Sequence, residues 1–199
     1  MEIKYKNIVL RDMKESDIED EIRWNTVETD WAHWDAPWES EPELLTFDAE
    51  KHRQKELEFL SKPKSEPRWG FEIDFGDKHI GAVSSYLMNE NFEWTPLKTA
   101  ENGEKLFRAV GIEICESSFC EKGLGTNALG AFIKYYLDLG ETEIYTQTWS
   151  GNVRMIRCAE KLGFEECMRK KDFRLVHGER YDGLSFKLNL RKFEEFLKK

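Results

Sequence analysis

The stretch "FCEKGLGTNALGAF" (residues 119–132) sets Gly123 and Gly125 directly before an apolar pattern of helical spacing. Leu124, Ala128, Leu129, Phe132, Tyr136 and Leu139 carry that pattern, and Gly140 stops it. The first amides of a helix have no internal partners and carry the positive end of its dipole. Glycines leave those amides open to a phosphate. Two readings stand side by side here: a pyrophosphate cradle, or a tight turn in which glycine relieves strained torsions.

The residues around the turn make it part of a regular unit. "LFRAVGIEIC" (106–115) alternates and is rich in β-branched residues, which predicts a strand before the turn. "EIYTQTW" (143–149) predicts another strand, and Asn152 can cap a helix bearing Met155, Ile156, Ala159 and Leu162, with Gly163 at its end. "FEECMRKKDFRLV" and "RYDGLSFKLNL" read as a closing pair of strands, and "RKFEEFLKK" as a terminal helix. In the first half, "NIVLRDM" (7–13) reads as a strand, and "KESDIEDEIRWN" as a helix capped by Ser16 or Asp17. Residues 48–62 predict an exposed helix, and 68–75 and 78–88 predict two strands joined by a tight turn. The segment 30–47 holds three tryptophans, five acids and two prolines and is expected to be a structured loop, as is the polar stretch 89–105. The expected class is α+β, in one domain over residues 1–199.

Bulk properties narrow the partners. A net charge of −9 opposes a nucleic-acid backbone and leaves room for a cationic substrate. No apolar run approaches a membrane span, and the N-terminus lacks a signal-peptide core, so the cytoplasm is the expected location. Cys115, Cys120, Cys158 and Cys167 lack paired metal-type spacing, as do His33, His52, His79 and His177, so no metal is expected. The glycine turn lacks the Walker lysine pattern. It also has Ala128 where a dinucleotide fingerprint would place its third glycine.

"CEKGLGTNALGAFI" followed by "YTQTWSGNVRMIRCAEKLGF" resembles the two cofactor-binding motifs of the GNAT acetyltransferase superfamily, in order and separation. "VLRDMKESDIED" is similar to the opening of the ribosomal-protein N-acetyltransferase (RimJ/RimL) branch. "NVRMIRCAEKLGFEE" also resembles a stretch of aminoglycoside 6′-N-acetyltransferases. The resemblance implies a mixed, splayed β-sheet flanked by helices, with acetyl-CoA as acetyl donor wedged between strands 106–115 and 143–149. It implies that Ile112 and Ile114 flank the donor and that the amides of Lys122, Gly123, Leu124, Gly125 and Thr126 hold the pyrophosphate. Asn152 would bond the pantetheine arm, and Arg157, with Arg154, would meet CoA phosphates or stay solvated. Two departures stand out: Cys120 replaces the usual Gln or Arg, and Ala159 replaces a tyrosine general acid. Met155 takes the place of a serine used by some relatives.

Acetyl transfer to an amine needs a proton acceptor, because a lysine-like ammonium has a pKa of about 10.4. Glu113, in the apolar run Val110–Ile114, is the candidate; its other reading is an outward carboxylate bound to a neighbouring lysine. The thioester oxygen would use strand amides at a bulge, and water or Ser150 could protonate the thiolate. Trp34, Asp35, Trp38 and Glu39, with Asp30 and Glu41 nearby, form the expected acceptor wall, since aromatic faces and carboxylates suit a cation. At least one tryptophan of this segment is expected to serve packing alone. The expected activity is N-acetylation of a primary amine by direct attack in a ternary complex, with a peptide or protein N-terminus ranked first. A small polycation (aminoglycoside or polyamine) and a non-catalytic acyl-CoA-binding domain are the alternatives. Nucleic acid and membrane are not expected as partners; a homodimer is compatible with this reading.

Overall fold

The computed structural model describes residues 1–96 and 105–198. The expected loop over 89–105 therefore lies in large part, at 97–104, outside the described residues. The chain divides into two compact units, Met1–Val83 with Ile112–Ala128 and Ser84–Gly111 with Leu129–Lys199. Strands β4 (Lys78–Met88) and β5 (Phe107–Ile114) each contribute residues to both.

In the first unit the strand order is β1 (Glu2–Tyr5), β2 (Ile8–Arg11), β3 (Gly70–Phe75), β4, β5. β1 was not expected: four residues are too few to show a period, and it exists as the partner of β2, with Tyr5 opposite Ile8. Lys6, at φ 52°, makes the turn between them. Leu10 pairs with Ile73, and both are fully buried. Helices α1 (Asp17–Thr26), α2 (Pro37–Leu45) and α3 (Ala49–Ser61) complete this unit, with Ile18 and Trp24 of α1 in its core.

Two local expectations need correction. Residues 30–47 are helical rather than a loop: a 3-10 turn spans Thr29–His33, and α2 follows. Pro37 is tolerated because it occupies the first helical position, where no amide bond is needed; Pro42 removes one interior donor, and the helix still runs on to Leu45. Neither Ser16 nor Asp17 caps α1 from its side chain in the usual way. Asp17 instead accepts Lys14 N at 2.7 Å and a two-armed pair of bonds from Arg11 at 2.6 and 2.9 Å. Arg11 also reaches Asp74 at 2.5 and 2.8 Å, so one buried guanidinium ties β2 to α1 and β3.

In the second unit the order is β4, β5, β6 (Ile144–Trp149), β8 (Glu179–Leu188), β7 (Phe164–Val176). β5 pairs with β6 in parallel at Arg108↔Ile144 and Ala109↔Tyr145. Past these pairs a side chain takes over, Thr146 Oγ1 donating to Val110 O at 2.7 Å, while β6 stays paired with β8 as far as Trp149. The other registered pairs, β1–β2, β2–β3, β6–β8 and β7–β8, are antiparallel. The expected α+β class with a mixed, splayed sheet is thus met. Helix α4 (Leu124–Asp138) buries Leu129, Phe132, Ile133 and Tyr136 here, and α5 (Val153–Leu162) and α6 (Leu190–Leu197) pack at Gly163. Gly163 takes φ 88° as the helix C-cap, as expected, and a side chain there would sit 2.6 Å from Lys192 Cβ.

Gly81 of β4 approaches β5 closely. A Cβ added to it would lie 2.0 Å from the carbonyl oxygen of Glu113, and its φ is +152°. Directly beyond, the amides of Cys115 and Glu116 both point to Ile80 O, at 3.0 and 3.3 Å, a bulge that ends the β4–β5 pairing.

Two outcomes follow for stability. Asp17→Asn leaves Arg11 buried without one of its partners and should cost about 3–5 kcal/mol in urea unfolding at neutral pH. Burial pushes the Asp17 carboxyl up, but bonds from Arg11 and Lys14 N and the nearby charges of His79 and Arg11 more than offset it. Its folded pKa therefore lies below its ordinary value, so the difference between wild type and variant should persist above about pH 4 and vanish as pH falls through the depressed value. Gly81→Ala should cost about 1–3 kcal/mol or more, because the backbone of Glu113 must move; an unchanged denaturation midpoint would contradict that close approach.

Candidate active site

The glycine turn is built as the sequence suggested. A short 3-10 turn (Ser117–Phe119) leaves β5, Glu121 and Gly123 take left-handed conformations at φ 60° and 78°, and α4 starts at Leu124. The first intrahelical bond joins Asn127 N to Gly123 O at 3.1 Å, so the amides of Gly123 to Thr126 precede the helical ladder. Alternating hand along such a turn makes a concavity of amides suited to an anion. Nothing lies within 4 Å of a Cβ added at Gly123. One added at Gly125 would rest on Ile112 Cδ1 at 3.5 Å and Ile114 Cγ1 at 3.6 Å. Ile112, Ile114 and the turn are thereby brought together. Lys122 is exposed, with Nζ 5.3 Å from the centre of the Phe119 ring. Cys120, the departure from the family pattern, turns its thiol toward Ile114 O at 3.8 Å.

Glu113 lies between Ile112 and Ile114 on β5 and is half-buried. Its partner is not a lysine. It hydrogen-bonds the carboxyl group of Asp35, from the corner between the 3-10 turn and α2. Burial first, then the charge of Asp35, the bond to it and the charge of Glu72 push the Glu113 carboxyl up to about 8. Burial also raises Asp35, helped by Glu39 and Glu43, while the bond from Glu113 acts the other way. Asp35 keeps an exposed face, so the pair is crowded by protein atoms yet reachable from water.

The rest of the expected acceptor wall is on the same corner. Trp34 and Trp38 are half-buried, and Trp38 Nε1 donates to Glu39 Oε1 at 2.9 Å. Trp31 serves packing, its Nε1 donating to Trp24 O at 2.8 Å. Asp30 and Glu39 are exposed, and Glu41 bonds His33. Sequence reasoning took Asp35 for amine recognition only and missed its bond to Glu113, along with Glu72, whose carboxylate also meets His79 Nε2 at 2.9 Å. It missed Gly81 as well, although an isolated glycine inside a strand pattern is a signal of close backbone approach. His52, for which no ligand spacing was seen, is brought to Glu21 and Glu56, with donor atoms all within 4.8 Å. Lys55 Nζ, 3.2 Å from Glu56, supplies a cation to that group.

In the second unit, Asn152 caps α5 as expected, its Oδ1 accepting Met155 N at 2.9 Å. Arg154 and Arg157 are exposed on α5. Ala159 is fully buried and Met155 nearly so. Ser150 Oγ accepts Asp182 N at 3.0 Å and keeps its own hydrogen to give.

Comparison with known proteins bears on the fold. The chain resembles RimL, a ribosomal L7/L12 alpha-N-protein acetyltransferase solved with coenzyme A, at TM-score 0.68 and 14% identity over 94% of this chain and 97% of that one. It resembles a GNAT-family acetyltransferase from Bacillus anthracis at TM-score 0.66 and 15% identity over 94% and 98% of the two chains. It also resembles yncA of Salmonella typhimurium, solved with acetyl-CoA, at TM-score 0.62 and 16% identity over 93% and 95%. No curated protein sequence matches it significantly. The family model described as an acetyltransferase (GNAT) domain matches residues 7–165, and the chain belongs to the GNAT acetyltransferase family.

Proposed function

We propose that this enzyme transfers the acetyl group of acetyl-CoA to a primary amine by direct attack in a ternary complex, in the cytoplasm, as one domain over residues 1–199. The observation that carries the reading is the run of β5 into the turn: a carboxyl group at Glu113 and, one short turn later, amides outside the helical ladder. The amides of Lys122 to Thr126 hold the pyrophosphate, with Ile112 and Ile114 beside the donor. Asn152 and Arg157 are assigned to the pantetheine arm and the phosphates on the strength of the motif. Acetyl-CoA supplies the activated acyl carbon. Glu113 removes a proton from the acceptor's ammonium, and water or Ser150 protonates the departing thiolate. The reading as one domain is supported by a family match that runs through both compact units.

For the acceptor, a peptide or protein N-terminus is favoured by the fold it shares with RimL, which is named for that activity. An α-amine, at pKa about 7.7–8, also matches a proton acceptor near 8. A second reading, a small polycation, is favoured by Glu39, Glu43 and Glu72, which add negative charge around Asp35 and Glu113.

Thiol release in the presence of an amine panel tests the reading: CoA should appear only when an amine is present, fastest for the preferred class. Release that ignores the amine, or none with any amine, contradicts it. Gly125→Leu should weaken acetyl-CoA binding at least tenfold (about 1.4 kcal/mol) by calorimetry, since a side chain there starts against Ile112 and Ile114, beside the proposed donor site. Glu113→Gln should lower kcat by about 10²–10⁴-fold and leave acetyl-CoA affinity unchanged; full turnover would remove Glu113 from the chemistry.

A further inference from the structure

We propose that Glu21, His52 and Glu56 form a binding site for one zinc-like divalent metal ion that clamps helix α1 to helix α3. The proposal uses no residue assigned to acetyl transfer and stands independently of that reading.

The two helices bring the ligands together by local rules. His52 and Glu56 stand four residues apart on α3, so they share one face of it. That face is turned to α1, because His52 Nε2 lies 2.8 Å from Glu21 Oε2. One donor atom from each of the three residues falls within 4.8 Å of the other two. Donors bound to zinc at about 2.0–2.2 Å stand roughly 3.3–3.6 Å apart in a tetrahedron, so small side-chain rotations suffice. The first turn of α3 is fixed by Asp48, whose side chain accepts Lys51 N at 3.0 Å and whose carbonyl accepts His52 N at 2.9 Å. The Phe47 ring flanks the imidazole, with 5.2 Å between ring centres. Ligands carried on helices hold their geometry better than ligands on loops. Glu21 and His52 are 31 residues apart in the chain, so no local spacing announces the group.

Burial and charge suit a cation. The side chains of Glu21, His52 and Glu56 are 21%, 18% and 13% exposed, shielded from bulk water yet open to a small ion. Burial, then the charges of Glu72, Glu56 and Asp17, push the Glu21 carboxyl up, and Lys55 acts the other way. Burial pushes the His52 imidazole down, against the charge of Glu56, toward the neutral form that ligates metals. Arg53 of α3 is turned to Glu19 and Glu50. Lys55 Nζ, 3.2 Å from Glu56 Oε1, is the competing cation; its side chain is 77% exposed and can swing into water.

The exchange balances without redox chemistry. The hydrogen bond between Glu21 and His52 holds one proton, which the ion displaces to solvent as Lys55 leaves. Two carboxylates and a neutral imidazole then match a dipositive charge. An imidazole beside two carboxylates suits zinc and its first-row neighbours better than magnesium or calcium, which prefer oxygen donors alone. Three protein ligands leave one tetrahedral position for water. Because the ligands come from two helices, the ion's role is to hold α1 on α3.

Calorimetric titration of the chelator-treated full chain with zinc chloride tests the site. One ion should bind per chain with a Kd of about 1 μM or below, and zinc should raise the melting midpoint. His52→Ala and Glu56→Gln should each weaken binding at least about tenfold. Lys55→Ala, which removes the competing cation, should tighten it, and His33→Ala should leave it unchanged. Cobalt bound in place of zinc should show ligand-field bands without thiolate charge transfer. Circular dichroism and melting in chelator establish that each variant is folded; should His52→Ala fail there, Glu56→Gln decides. No saturable binding overturns the proposal, as does binding that survives the substitutions at His52 and Glu56, the mark of an adventitious ion only. Binding lost in His33→Ala, weakened in Lys55→Ala, or accompanied by thiolate bands on cobalt overturns it equally.

Discussion

Helix α4 begins with backbone amides that the helix itself cannot use, and the proposed donor site depends on that constraint. The first helical bond reaches back from Asn127 to Gly123, which leaves Gly123 to Thr126 outside the ladder. The left-handed turns at Glu121 and Gly123 bring the chain round from β5, so that Ile112 and Ile114 meet Gly125. A Cβ at Gly125 would stand in ordinary contact with the two isoleucines, so the start of α4 lies against β5. Glu113 comes from the same strand segment, so the turn and the carboxyl group are placed by one piece of backbone.

That piece of backbone is itself set by β4. Gly81 admits the carbonyl of Glu113 to a distance that any Cβ would forbid, and the bulge at Cys115 and Glu116 then ends the pairing. On the proposed acceptor side the constraint is electrostatic. The carboxyl groups of Asp35 and Glu113 each raise the cost of ionising the other, and Glu39, Glu43 and Glu72 add to that negative charge. The strained Ala36 and the Ser40 hydroxyl hold Asp35 where that repulsion is felt.

Much of this was legible in the sequence because it is written in short-range patterns. Gly123 and Gly125 before a helical period, Asn152 as cap and Gly163 as stop each act within a few residues, and the structure has all of them. The expected strands 106–115 and 143–149 form β5 and β6 for the same reason. The misses were of other kinds. β1 is too short to carry a period and exists only through β2. Helix α2 was hidden by Pro37 and Pro42, which read as breakers although one of them occupies a position where proline is favoured. Asp35 was recognised as part of the acceptor wall, but its bond to Glu113 joins distant parts of the chain, and no local pattern reveals such a contact.

The measurement that bears most directly on the central claim is a crystal structure of the protein with coenzyme A. The account requires the pyrophosphate on the amides of Gly123 to Thr126, and the thiol end of the ligand on the Glu113 side of the turn. Coenzyme A bound elsewhere, or those amides closed over by the protein's own carbonyls or a side chain, would contradict it.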